Sequence, residues 1–238
     1  MTSQNRQIVR PPNIFSQYKS LVAGYPSKKR SVEIAVAKDL VKILRDKRPL
    51  NRVDVAELLG QSYGKYGYVA AALSKVLLTD TSWLVRVCAA ESIGLKKYYQ
   101  SAPALRKALN DKHQVVRGYS AEAMARVGSA LASKYIVRRL QVEHSSYAKL
   151  KMYAALYDLG EKKVFPDIIK MLKNTQKAVR TNTAAILMDR VDKRNAELIS
   201  SCLVEALRRE SEPYIRRIFR GYLKELEDVH CKRDIRIK

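Results

Sequence analysis

An acidic or amide side chain followed six residues later by a basic one recurs six times along this chain. The basic residues are Arg52, Arg86, Arg117, Lys149, Arg180 and Arg216, and the residues six places before them are Asp46, Asp80, Asp111, Glu143, Asn174 and Glu210. Successive bases lie 31 to 36 residues apart. A period of this length predicts stacked units, because each unit can bury its apolar face only against its neighbours.

Each unit is predicted to contain two amphipathic helices, with positions counted from the basic residue. After the base, small or aliphatic residues fall at +3, +4 and +7, as Ala89 and Ile93 do in the second unit. Before the acid, apolar residues fall at −12, −9 and −8, as Leu105, Ala108 and Leu109 do in the third unit. Both spacings place these residues on one face of a helix with 3.6 residues per turn.

Prolines and acids mark the expected boundaries of the two helices. Pro103 and Pro166 both lie at −14, which suits the first turn of a helix, where a missing N–H costs little. The acid at −6 falls in the turn between the two helices, where its side chain can cap the second one. Each unit is therefore predicted to be a helical hairpin.

This repeat resembles the short HEAT repeat first noted in phycobilisome lyases, and the resemblance covers about residues 31–228. It implies an all-α fold, an α-solenoid of about six stacked helical hairpins. It also implies that the acids and bases of successive units, Asp46 through Glu210 with Arg52 through Arg216, form a ladder along the stack. The leading interpretation of these arginines is structural, since paired charges can set the register between hairpins.

The composition of the two ends differs from that of the repeats. Residues 1–32 contain six Lys or Arg and no acid, and the segment from Val229 onwards contains four cations and one acid. We therefore predict three regions: a basic, largely irregular N-terminal arm over 1–30, the repeat solenoid over 31–228, and a basic C-terminal tail over 229–238.

The chain carries 46 Lys and Arg against 23 Asp and Glu, a formal net charge of +23. Such an excess attracts polyanions, namely nucleic acid, an anionic membrane face or an acidic protein. The first helices present cations at −11, −10 and −7, opposite the predicted buried positions, with Glu205 as an interruption. We call this set the basic stripe: Lys42, Arg45, Lys75, Arg106, Lys107, Arg138, Arg139, Lys170, Lys173 and Arg209. A purely solubilising face is the alternative, although such faces usually mix both signs of charge.

These features favour a non-catalytic binding scaffold that engages nucleic acid or a nucleoprotein through the basic stripe. The alternative is a scaffold or adaptor for an acidic protein. A bilin-lyase-like or DNA-glycosylase-like HEAT enzyme is a distant third, implied by resemblance of fold alone. HEAT-like proteins usually bind partners on the concave face, which the second helices line, whereas the basic stripe is predicted on the first helices.

No catalytic or metal-binding constellation is visible in the sequence, and we expect neither an enzyme nor a cofactor. HEAT-like deoxyhypusine hydroxylases carry His-Glu pairs for a di-iron centre, but His113, His144 and His230 are not followed by Glu. HEAT-like DNA glycosylases rely on several tryptophans and an aspartate, and Trp83 is the single Trp of this chain.

Cysteine content and hydropathy predict a cytoplasmic protein. Cys88, Cys202 and Cys231 form an odd, scattered set with no CxxC pair, which favours a reducing compartment. The start of the chain has no apolar segment typical of a secretory signal. The longest apolar runs are far shorter than the roughly 20 residues that span a bilayer, so no transmembrane segment is expected.

Overall fold

A computed structural model describes residues 30–62, 66–128 and 130–234, and within these ranges all regular structure is helical. The predicted N-terminal arm lies outside the described residues, apart from Arg30. Six hairpins follow one another along the described chain. They are formed by α1 (Arg30–Ile43) and α2 (Pro49–Ser62), α3 (Gly67–Thr79) and α4 (Trp83–Leu95), α5 (Ala102–Ala108) and α6 (Gln114–Val127), α7 (Ala132–Leu140) and α8 (Ser146–Asp158), α9 (Phe165–Lys170) and α10 (Lys177–Met188), and α11 (Ala196–Arg209) and α12 (Pro213–Asp234).

The chain divides between residues 129 and 130 into two compact units. The first unit contains hairpins one to three, and the second contains hairpins four to six. Each of the six recurring basic residues lies in the second helix of one hairpin, and the all-α prediction is confirmed. The last helix continues to Asp234, so the predicted C-terminal tail begins inside α12.

The buried residues follow the repeat. At +7, Leu59, Ile93 and Met124 are almost fully buried in the first unit, as are Leu156 and Leu187 in the second. These side chains face the neighbouring helices of their own unit, as the 3.6-residue periodicity predicts. The last hairpin differs. Its +7 residue, Leu223, is only partly buried, and Arg220 and Lys224 are exposed, as expected for a terminal repeat with one polar face.

The second helices of the first unit pack closely through two glycines at +8. A Cβ atom added to Gly60 would lie 2.2 Å from the Ser92 Oγ, and one added to Gly94 would lie 2.9 Å from the Ala123 Cα. The Ser92 hydroxyl also donates a hydrogen bond of 2.8 Å to the Ala56 carbonyl across the same contact. Helix α4 is therefore held against both α2 and α6 at distances that admit no larger side chain.

The helix starts agree with the prolines in the sequence. Pro103 and Pro166 lie in the first turns of α5 and α9, as predicted. Helix α9 ends after six residues, and the 3-10 turn Met171–Lys173 continues the first helix of its hairpin. The resulting turns between helices carry the recurring acids.

Candidate polyanion interface and the arginine ladder

The basic residue of one hairpin binds the acid of the next hairpin in the same unit. Arg52 donates from Nε to Asp80 Oδ2 at 2.7 Å and from Nη2 to Asp80 Oδ1 at 2.8 Å. Arg86 holds Asp111 with the same two distances. In the second unit, Arg180 holds the Glu210 carboxylate at 2.6 and 2.9 Å. We call each such pair a rung.

The third guanidinium nitrogen binds the backbone of the hairpin that carries the arginine. Nη1 of Arg86 donates to the Asp80 carbonyl at 2.8 Å, six residues earlier, and Nη1 of Arg52 donates to the Asp46 carbonyl at 2.7 Å. Arg117, Arg180 and Arg216 repeat this contact with the residue six places before them. Each of these arginines therefore closes its own interhelical turn, and in a rung it also binds the next turn.

The acid has a second role, slightly different from the predicted helix cap. Asp80 Oδ1 accepts the amide of Ser82, and Asp111 Oδ1 accepts the amide of His113, both at 2.8 Å. Ser82 and His113 are themselves the N-cap residues of α4 and α6. The carboxylate therefore orders the turn just before the helix instead of binding an amide in its first turn.

The ladder implied by the HEAT resemblance is present, with a register that only the structure shows. An arginine binds the carbonyl of its own acid residue and the carboxylate of the following one. The carboxylate of Asp111 is accordingly bound by Arg86, and Arg117 contributes to that turn through the Asp111 carbonyl. The structural interpretation of the arginines is thus supported by their burial: Arg86 is 3% exposed.

One rung of the second unit is missing. The fourth repeat has Lys149 where the others have arginine, and the fifth has Asn174 where the others have an acid. No ion pair or side-chain hydrogen bond involves Lys149 within the described residues. Both positions differ from those of the other repeats, and the amide of Asn174 leaves no buried carboxylate without a partner at this position.

Hydrogen bonding within two of the rungs shifts pKa values toward the charged forms. Hydrogen bonding to Asp80 raises the pKa of Arg52, and hydrogen bonding to Glu210 raises that of Arg180. The Arg180 guanidinium in turn lowers the pKa of Glu210, against the opposing effect of burial. The shifts of Arg180 and Glu210 both favour the ionised pair, in keeping with a structural role.

The basic stripe is most open in the first unit. Arg45, Lys75, Arg106 and Lys107 are all exposed on α3, α5 and the turn after α1. Among them, Arg45, Lys75 and Lys107 make no ion pair with any described residue. Lys42 is exposed but binds Asp39 one turn earlier, at 2.9 Å. Three cations of this surface are thus available to an external anion.

In the second unit, carboxylates of the chain itself occupy most of the stripe. Lys170 binds Asp167 at 3.2 Å. Glu205 Oε1 lies 3.2 Å from the Lys173 Nζ and 2.8 Å from the Arg209 Nη2, and the Lys173 ammonium lowers the Glu205 pKa. Arg138 is exposed and makes no ion pair with the described residues.

The assignment of Arg139 to the exposed stripe is wrong. Its side chain is only 16% exposed, and its Nη2 lies 3.0 Å from Oε2 of the almost fully buried Glu143. Glu143 is the acid of the fourth repeat, and it also accepts the amides of His144 and Ser145. The −10 position of this short helix faces the interhelical turn, where a buried carboxylate needs a partner.

The sequence positions chosen for the stripe missed two acids at −13. Asp39 and Asp167 each lie one helical turn before a stripe lysine and bind it. The signal was present as an i, i+3 spacing of opposite charges, which places both side chains on the same helical face. The surface of the first helices is therefore more mixed in charge than positions −11, −10 and −7 alone indicated.

Matching grooves lie between the first helices of neighbouring hairpins in each unit. A groove of about 440 Å³ between α1 and α3 is lined by Val41, Leu44, Arg45, Arg52, Ala72, Lys75, Val76, Thr79 and Asp80, among others. A groove of about 360 Å³ near α9 and α11 is lined by Leu172, Lys173, Arg180, Ala206, Arg209 and Glu210, among others. In both grooves a ladder arginine and the next acid form the inner wall.

His113 and Cys88 are not members of the basic stripe, and burial shifts the pKa of each. His113 stacks on Trp83 with ring centroids 4.3 Å apart, and burial lowers the His113 pKa. Cys88 is buried, its thiol faces Glu57, and burial raises its pKa to about 12.

Among the described residues no group of three or more His, Cys, Asp or Glu is arranged to hold a metal ion. No helix in this part of the chain is long and apolar enough to cross a membrane.

Comparison with known proteins agrees with the repeat. Residues 70–156, from α3 into α8, match the family model described as HEAT repeats. No curated protein sequence matches it.

Two solved structures show the same fold. The complex of CpcE and CpcF of phycocyanin lyase from Nostoc sp. PCC7120 is 19% identical, with 78% of this chain and 75% of that chain covered and a TM-score of 0.52. YibA of Escherichia coli is 22% identical, with 87% of this chain and 80% of that chain covered and a TM-score of 0.52. At these identities the likeness concerns the fold alone.

Proposed function

We propose that this chain is a non-catalytic HEAT-repeat scaffold that binds an acidic partner protein through the outer helices of its first unit. The observation that carries the proposal is the contrast between equivalent positions in the two units. Arg45, Lys75 and Lys107 have no carboxylate partner among the described residues. In the second unit, Lys173 and Arg209 share Glu205.

A surface cation without a partner carries little free-energy penalty because water solvates it, and it attracts anions over about one Debye length. Those of the first unit lie on three successive hairpins, whose relative positions are held by the rungs Arg52–Asp80 and Arg86–Asp111. The ladder therefore gives the cations a fixed spacing. A preorganised set of charges favours binding, because less conformational entropy is lost on association.

A protein partner fits this surface better than a continuous phosphate backbone. Duplex DNA carries about one charge per 1.7 Å of its axis, and a surface that tracks it needs closely spaced cations. Here Asp39 and Asp167 lie among the stripe lysines and would repel phosphates. The groove beside Arg45 is apolar at Leu44 and Val76, which suits side chains and not phosphodiesters.

Nucleic acid is the second candidate, and the net charge of +23 is the observation that favours it. Its binding would weaken steeply with salt, with a slope of about 0.7 to 0.9 per phosphate contact in a plot of log affinity against log salt. An interface with an apolar centre would depend less on salt. A salt series therefore separates the two candidates.

The test compares two triple variants by fluorescence anisotropy with a labelled glutamate-rich peptide and a labelled single-stranded oligonucleotide. Changing Arg45, Lys75 and Lys107 to Gln should weaken peptide binding by about tenfold or more. Changing Lys170, Lys173 and Arg209 to Gln removes the same formal charge but should have a small effect, since these cations already bind carboxylates.

Equal losses in both variants would show that net charge alone attracts the probes and would overturn the proposal. Tighter binding of the oligonucleotide, with a steep salt slope, would favour nucleic acid. If wild-type protein bound neither probe at physiological salt, the outer surface would have no role in binding anions.

A further inference from the structure

The grooves of the two units correspond position by position. Leu44 and Leu172 occupy −8, Arg45 and Lys173 occupy −7, and the ladder arginines Arg52 and Arg180 form the inner wall. The two grooves can therefore be compared as two versions of one site. Their charges differ at −6, which holds Asp46 in one groove and Asn174 in the other, and at −7 of the following hairpin, which holds Thr79 or Arg209. At one further position of the following hairpin the sign of the charge reverses.

That position is −11, which holds Lys75 in the first unit and Glu205 in the second. In the second unit the −7 side chain of one hairpin binds the −11 side chain of the next, since the Lys173 Nζ lies 3.2 Å from Glu205 Oε1. In the first unit both positions are cationic, and Arg45 and Lys75 line the same groove. Neither makes an ion pair with a described residue.

We infer that the groove between α1 and α3 binds a glutamate side chain of an acidic partner protein, with its carboxylate between Arg45 and Lys75. This inference rests on the proposed function and assigns its central contact. The carboxylate of Glu205 provides the internal precedent, because it binds Lys173, which stands at the repeat position of Arg45, and also Arg209, where the first unit has Thr79. The first unit lacks this carboxylate, and the partner supplies it.

The floor of the groove favours a carboxylate on an apolar stem. Leu44 and Val76 are buried, with 6% and 9% exposure, and Ala72 lies beside them. The methylenes of glutamate can pack there while the carboxylate reaches the two cations at the rim. A phosphodiester would place charged oxygens against the same apolar atoms, at a desolvation cost.

The two carboxylates that line the groove, those of Asp46 and Asp80, already have partners within the chain. Asp80 receives two hydrogen bonds from Arg52, and Asp46 accepts the Arg48 amide at 2.7 Å. The N-terminal segment 1–29 contains no acidic residue, so it cannot supply the missing carboxylate. The charge of the groove therefore calls for an external acid.

The experiment uses the full chain and a fluorescent peptide of alternating glutamate and leucine. Lys75→Glu places a carboxylate of the chain where Glu205 stands in the second unit, so it should occupy the groove and weaken peptide binding by about tenfold or more. Lys170→Glu changes the net charge equally at an exposed site outside the groove and should change affinity by less than about twofold. Circular dichroism and thermal melting check that both variants fold.

A charge exchange provides the second measurement. The double variant Arg45→Glu, Lys75→Glu should lose the glutamate–leucine peptide and bind a lysine–leucine peptide that wild type does not bind. Rescue of this kind follows only if the two side chains face the ligand.

The inference is overturned if Lys75→Glu binds the peptide as wild type does, or if Lys170→Glu loses as much. Should the triple variant of Arg45, Lys75 and Lys107 lose binding while Lys75→Glu retains it, the proposed function stands and the groove assignment falls. If an oligonucleotide displaces the peptide and binds more tightly, the groove binds a phosphate group and not a glutamate, and the inference falls.

Discussion

Arg52 and Asp80, 28 residues apart in sequence, are joined by two parallel hydrogen bonds of 2.7 and 2.8 Å. The same arginine donates at 2.7 Å to the carbonyl of Asp46, the residue that occupies the acid position of its own hairpin. One side chain therefore connects two successive interhelical turns. The planar guanidinium suits this role, because its donors point in fixed, divergent directions that an ammonium group lacks.

Arg86→Ala should destabilise the first unit by about 3 kcal/mol or more, because it leaves the Asp111 carboxylate without its bidentate partner. Urea unfolding followed by Trp83 fluorescence measures this, since Trp83 is the single Trp of the chain and lies in that unit. Lys149→Ala is the matched control at the same repeat position. It should cost less than about 1 kcal/mol by circular dichroism, because Lys149 has no rung to lose. Wild-type stability of Arg86→Ala would contradict the structural role of the ladder.

Restoring the missing rung should stabilise the second unit. Lys149→Arg and Asn174→Asp, combined, recreate the residue types found at the other rungs. The two substitutions should show a favourable coupling energy of about 1 kcal/mol in a double-mutant cycle, measured by urea unfolding. Additive effects would mean that the fourth and fifth hairpins do not bring these positions within hydrogen-bonding distance.

Gly94→Ala should destabilise the first unit by about 1 to 3 kcal/mol, because the new Cβ would lie 2.9 Å from the backbone of Ala123. Gly221→Ala is the control, since a Cβ at Gly221 meets nothing within 4 Å. In the middle of α12 it should instead stabilise the helix by about 0.5 to 1 kcal/mol. Thermal melts of the two variants should therefore shift in opposite directions, and equal shifts would argue against the close contact of α4 and α6.

The Trp83–His113 stack predicts a pH-dependent fluorescence signal. Burial lowers the His113 pKa, opposed by Asp111 and reinforced by Arg86 and Arg117. Protonation of the stacked imidazole should therefore change Trp83 emission with a midpoint below the usual value of about 6.5. His113→Gln should abolish the transition, whereas His144→Gln should retain it. A midpoint above pH 7 would contradict the burial of this ring.

The lowered pKa of His113 also determines how the stability of the protein changes with pH. The unfolded chain takes up the His113 proton at a higher pH than the folded chain does, so the free energy of unfolding falls as pH drops below about 6.5. His113→Gln should reduce the loss between that pH and the lower folded pKa. The comparison is made by urea unfolding at several pH values.

Much of the fold follows from local sequence. The in-phase positions around Arg86 and Arg117 predicted one helical hairpin per repeat, as observed, and Pro103 and Pro166 lie where helix starts were expected. These features depend on contacts within a few residues, namely one apolar helical face and one turn. Periodicity therefore predicts them without knowledge of neighbouring hairpins.

The partners of the charged residues could not be predicted in the same way. The sequence identified the members of the ladder but not that Arg52 binds the carboxylate of the next repeat and the carbonyl of its own. It also placed Arg139 on the outer face, whereas that side chain binds the buried Glu143. Such pairings depend on the rotation of each helix and on the distance between adjacent turns.

The sequence by itself determined the period, the six helical hairpins, their apolar faces and the large basic excess. Only the tertiary structure decided which cations have a partner among the described residues, because neutralisation requires oppositely charged atoms to lie within about 4 Å of each other. Glu205 binds Lys173 and Arg209, whereas Lys75 faces the groove that Arg45 also lines. A count of charges along the sequence treats paired and unpaired cations alike. Only the distances between charged atoms in the folded chain distinguish them.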